Sequence, residues 1–186
     1  MSEPSQAPAT EPPNDAVTAG DLVMRKGGLG RWLWLAGALA LVLWGTWWMT
    51  HPSDLPVPDR QVTGSTPSKV PAYVGILGPA DSHRTLHISD VTVPIIDNPG
   101  GAEATAFVCR HGSIRVTRDP ATFCESVYDA RGEVLRLGDG DQLMIRVESH
   151  MAGRVRIDPA LVTYREGLQF ATQRTGPRIE IIVLPG

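Results

Sequence analysis

The chain has 186 residues, with 17 Lys and Arg against 20 Asp and Glu and a formal net charge of −3. Over residues 51–186 the balance is 16 acidic to 14 basic, which argues against nucleic acid or an anionic surface as a dominant partner. No Gly-x-Ser-x-Gly, His-Glu-x-x-His or phosphate-loop motif is present, so no catalytic constellation can be assembled from sequence, and neither an enzyme nor a cofactor is expected.

Residues 1–24 are rich in Pro, Ala, Glu, Ser and Thr, with almost no large apolar residue. Such a segment cannot bury enough surface to offset its ordering entropy and reads as a disordered tail. A basic juxtamembrane segment follows at 25–31, carrying Arg25, Lys26 and Arg31.

Residues 32–49 contain no charge and no proline. As a helix, this run would rise about 27 Å, close to the thickness of a bilayer's hydrocarbon core. It holds every tryptophan of the chain: Trp32 and Trp34 at one end, Trp44, Trp47 and Trp48 at the other. That split fits two interfacial belts. The flanking charges predict the N-terminus in the cytoplasm and the rest of the chain outside, as a single-pass plasma-membrane protein. A cleaved signal peptide is the alternative; the run is longer than an ordinary signal core and no Ala-x-Ala site follows it. Ala36 and Ala40, with Gly37 and Gly45, offer small residues for a neighbouring helix.

Residues 50–71 carry Pro52, Pro56, Pro58, Pro67 and Pro71. They are expected to form an extended linker that lifts the next domain off the membrane. Residues 72–186 are enough for one core. Period-two alternation recurs in this part: Leu143, Ile145 and Val147; Val155 and Ile157; Ile179, Ile181 and Val183; Ile114 and Val116. Between Thr85 and Ile96 the phase changes near Ser89-Asp90, which predicts a bulge or a bend. Residues 162–170, around Glu166-Gly167, read as a hairpin. Turn signals fall between these runs, at 98–101, 118–120, 130–132, 138–141, 152–153 and 175–177. The fold class expected is an all-β extracytoplasmic domain, an antiparallel β-sandwich of immunoglobulin-like pattern, on one transmembrane helix. A Greek-key barrel is the alternative. Scarce Lys beside plentiful Arg, Ala, Gly and Pro suggests a GC-rich bacterial genome.

Cys109 and Cys124, an even pair in an exported domain, predict one disulfide. Their spacing is neither Cys-x-x-Cys nor a zinc pattern. His83, His87, His111 and Met151, together with Met144 and with Cys109, which even spacing puts on one strand face with His111, suggest a copper-binding alternative; no short cluster joins these residues, and a disulfide-bonded Cys109 could not ligate. Gly138-Asp-Gly-Asp141 resembles part of a calcium loop but lacks the remaining ligands and reads as a tight turn. Glu125 and Asp129 read as solvated charge. By alternation, Arg146, Arg154 and Arg156 point away from the core, toward solvent or an acidic partner. The function expected is that of a membrane-anchored accessory protein whose outer domain binds or stabilises a larger membrane or envelope complex. The alternative is an envelope ligand- or copper-binding module.

Overall fold

A computed structural model of the chain describes residues 28–78 and 83–186. The expected disordered tail (1–24), Arg25 and Lys26 lie outside the described residues, as does the side chain of Arg31. The chain divides into two compact units, residues 1–39 and Ala40–Gly186, and each is taken by itself.

Helix α1 (Gly28–Thr50) supplies the described part of the first unit and the start of the second. Its 23 residues begin four before the uncharged run; at 1.5 Å per residue they extend about 35 Å. Leu and Trp side chains are exposed along it: Trp32 and Trp34 in the first unit, Trp44, Trp47 and Trp48 in the second. By length and composition Trp32–Thr50 is a candidate membrane span, and a signal sequence would meet the same criterion. The helix ends in a dense cap. Thr50 Oγ1 donates to the carbonyls of Thr46 and Trp47, and His51 Nδ1 lies 2.7 Å from the Trp47 carbonyl while its ring stacks on Trp47. The Trp47 carbonyl is one of the last four of the helix, which have no partner inside it.

The rest of the second unit is predominantly β. In chain order the strands are β1 (Gln61–Pro67), β2 (Ala72–Leu77), β3 (Thr85–Thr92), β4 (Ile95–Asp97), β5 (Glu103–Arg110), β6 (Val116–Thr117), β7 (Ser126–Asp129), β8 (Val134–Arg136), β9 (Gln142–Glu148), β10 (Gly153–Ile157), β11 (Ala160–Glu166), β12 (Gln169–Thr175) and β13 (Arg178–Leu184). They form three open sheets, ordered β1-β13-β10-β4, β12-β11-β3-β8 and β6-β2-β9-β5-β7.

Alternation explains the core. Leu143, Ile145 and Val147 of β9, Ile179, Ile181 and Val183 of β13, Val162 and Tyr164 of β11, and Leu86 and Ile88 of β3 all enter one buried cluster fed by the three sheets. Each large aliphatic side chain so buried contributes about 1.5–3 kcal/mol. The opposite face of β9 carries Met144 into a smaller cluster with Ile114, Cys109 and Cys124, bordered by Tyr73, Phe107 and Val127. This outer cluster explains why Met144 is buried although it alternates with core residues.

The phase change in β3 is a bulge. Asp90 pairs with Thr163 and Ile88 with Tyr164, leaving Ser89 without an opposite residue. The hairpin is β11 with β12, paired from Ala160↔Thr175 to Glu166↔Gln169.

Two expectations are corrected. Residues 50–71 are not a free linker: β1 lies within them and pairs with β13, and Leu55 is buried in the core. Nor is the pairing wholly antiparallel, because β1 and β13 run parallel from Gln61↔Arg178 to Pro67↔Leu184. The strand Gln-Val-Thr-Gly-Ser-Thr-Pro has one large apolar residue, so hydropathy gives it no signal. Its burial comes from Val62 and Thr66, the latter donating through Oγ1 to the Val70 carbonyl at 2.8 Å.

Candidate functional site

The segment that follows the helix carries the most elaborate polar arrangement of the second unit. Arg84, just before β3, reaches across to it. Its Nη2 donates to the Ser53 carbonyl at 3.0 Å and its Nη1 to the Asp54 carbonyl at 3.3 Å. The same guanidinium grips Glu166 with Nε and Nη2, at 3.0 and 2.7 Å. Such a forked, charge-assisted pair is geometrically specific. Gln173 of β12 completes the clamp: its Oε1 accepts from the Leu55 backbone N–H at 2.8 Å and from the Tyr164 hydroxyl at 3.0 Å. Further along, the Pro56 carbonyl accepts from Thr175 Oγ1 and from the Gly176 N–H. Residues 53–56 therefore form a strap beside β12, the outer strand of its sheet, tied to the Gln173 and Thr175 side chains and to the Gly176 N–H just beyond the strand. The hydrogen bond to Glu166 holds the Arg84 pKa above its ordinary value, against the opposing effect of burial. Burial raises that of Tyr164, with Arg84 working in the other direction.

A second ionic cluster closes one end of the core. Asp141 is buried, and its carboxylate accepts from Arg110 Nη1, from the Arg136 N–H at 3.0 Å and, at longer range, from the His111 N–H. Arg110 also donates to the Val134 carbonyl and to Glu133 at 2.6 Å, and lies 5.8 Å from the centre of the Tyr128 ring. Burial alone would raise the Asp141 pKa. The Arg136 N–H, the Arg110 guanidinium and the His111 N–H together outweigh it and hold the carboxyl below its usual range. This explains the Gly138-Asp-Gly-Asp141 segment. It is a tight turn, with Gly140 at φ 87°, whose last residue is the buried anion.

Cys109 and Cys124 are joined by a disulfide, with Cα atoms 5.3 Å apart. Cys109 lies on β5, which pairs with β7. Cys124 itself precedes β7, after a short 3-10 turn at Pro120–Thr122 capped by Asp119.

The residues suggested for copper do not converge. His83 precedes β3 and borders Gly138, whereas His87 lies within the strand opposite Val134 and Arg165. His111 is beyond the end of β5, at φ 45°, so the even spacing from Cys109 does not place the two on one strand face. Its Nδ1 is 2.7 Å from Glu125 Oε2. Met144 is fully buried and Met151 is exposed. Among the described residues, no three His, Cys, Asp or Glu side chains group closely enough to hold a metal ion.

Asp129 caps the following turn by accepting from the Arg131 N–H at 2.8 Å. The three arginines do not make one face. Arg154 and Arg156 of β10 flank Glu180 of β13 at 3.3 and 3.7 Å. Arg146 is in a different sheet, paired to Glu148, with its Nε buried and without a hydrogen-bond partner in the described residues. Alternation gave each residue's side of its own strand but not which sheet it joined.

Neither cluster, around Arg84 or around Arg110, was visible in the sequence. Both join residues far apart in the chain, and the only local hint was an isolated Arg beside a strand. No family model and no curated protein matches the chain.

Proposed function

We propose that the chain is a non-enzymatic, single-pass accessory protein of a bacterial plasma membrane, whose β domain binds or stabilises a larger membrane or envelope complex. In this reading α1 is an uncleaved anchor. The N-terminus is cytoplasmic, on the side of Arg25, Lys26 and Arg31, and the β domain is extracytoplasmic. The three sheets around one core are read as a distorted sandwich of immunoglobulin-like pattern.

The observation that carries the proposal is the strap. The chain leaves an exposed apolar helix and within a few residues is clamped by Arg84 and Gln173. An anchor that positions a domain is served by such an attachment directly after it. The disulfide supports an oxidising compartment for the domain. The two groups of tryptophans support a spanning helix.

The test is extraction of tagged full-length protein from native membranes in mild detergent, followed by identification of what co-elutes. Stoichiometric copurification with a multi-subunit membrane complex is the expected result. Elution as a lone protein would refute the accessory role. Proteolysis of intact cells, with the β domain cleaved from outside, checks the direction.

A further inference from the structure

The β11–β12 hairpin ends on Glu166-Gly167-Leu168-Gln169-Phe170, with Gly167 at φ 58° making the turn. The polar side chains of this tip are already engaged. Glu166 is held by Arg84, and Gln169 Nε2 donates to the backbone carbonyl of Trp48 at 2.8 Å. Two apolar side chains are left outward: Leu168 is 68% exposed and Phe170 56%. An exposed Leu by itself means little. What distinguishes this tip is its neighbour, the last helical turn, where Trp47 and Trp48 are themselves exposed.

We propose that the hairpin tip is a second membrane contact, with Leu168 and Phe170 entering the headgroup–acyl boundary of the bilayer that α1 spans. The inference rests on the reading of α1 as an anchor. Tryptophans at the end of a spanning helix lie at headgroup depth, and the bond from Gln169 to Trp48 brings the tip to that depth. Its chemistry fits the location. Apolar side chains backed by a cation suit an interfacial element. Arg165, exposed and opposite Phe170 in the hairpin register, supplies the cation for lipid phosphate. The tip's carboxylate, on Glu166, is neutralised by Arg84, which removes the group that an anionic leaflet would repel. Helix and hairpin then hold the β domain at two points, which fixes its orientation for a partner in the same membrane.

Because the native cysteines are bonded to each other, a single added cysteine takes a nitroxide label cleanly. Full-length L168C and F170C, with I96C and F123C as exposed apolar positions elsewhere on the domain and L39C in the helix, are reconstituted into phosphatidylcholine–phosphatidylglycerol vesicles. Power saturation then compares accessibility to oxygen and to a water-soluble nickel chelate. The expected result is an oxygen-to-nickel ratio at 168 and 170 several-fold above that at 96 and 123. Equal ratios at all four positions, with L39C in lipid, would overturn the hairpin contact and leave the anchor standing. An aqueous signal at L39C would overturn both.

Discussion

Replacing Asp141 by Ala removes the buried anion of the Arg110 cluster. Breaking a buried ion pair costs about 3–5 kcal/mol, because the remaining charge stays buried. Here Arg110 keeps Glu133 at 2.6 Å and the Val134 carbonyl, which places the ionic loss near the lower end. The Arg136 N–H also loses its acceptor, adding about 1 kcal/mol. The expected loss is about 3–4 kcal/mol at neutral pH, read by urea denaturation of the full-length protein in detergent through its β circular dichroism. Asp141→Asn keeps an acceptor for Arg136 and loses less. The effect has a pH signature. The folded protein holds the Asp141 carboxyl below its ordinary pKa, so the stability it contributes is present above the unfolded value of about 4. That stability is lost as pH falls from there through the lowered folded value. The gap between wild type and Asp141→Ala should therefore narrow below about pH 4. A loss under about 1 kcal/mol at pH 7, or a gap that stays constant into acid, would refute the assignment of Asp141 as the stabilising charge.

Reducing the disulfide, or replacing both Cys109 and Cys124 by Ser, reopens a loop of 15 residues and should cost about 3 kcal/mol on the chain-entropy model, checked by the same urea titration. Arg84→Met removes the guanidinium from the Ser53 and Asp54 carbonyls; limited proteolysis with mass mapping should then show much faster cleavage within residues 51–58, while the strands stay protected. A Cβ at Gly75 would press on the Ile114 carbonyl and on the Gln142 side chain, which bonds Ile114 through both its amide atoms. Gly75→Ala should therefore lower stability by about 1–3 kcal/mol, and an unchanged urea midpoint would show that the loop yields freely.

What the sequence determined by itself was local and periodic. A run of 18 residues without charge specifies a helix with no polar face, a candidate membrane span. Alternation at Leu143, Ile145 and Val147, or at Ile179, Ile181 and Val183, specifies strands with one buried side. The phase break near Ser89-Asp90 marked a bulge or a bend, and Glu166-Gly167 marked a hairpin, because both are decided by neighbouring residues. Tertiary structure alone decided the rest. β1 is a strand because β13 offers it a parallel partner more than a hundred residues away; its own composition, with Gly64 and Pro67, argues for a loop. Residues 53–56 read as part of a spacer because of the prolines spread over residues 50–71, yet they are held by side chains of Arg84, Gln173 and Thr175. The Arg110–Asp141–Glu133 cluster forms because β5, β9 and the start of β8 meet at one end of the core. Periodicity tells a side chain which way to face along its own strand. Only the packing of distant strands determines which charge it finds there.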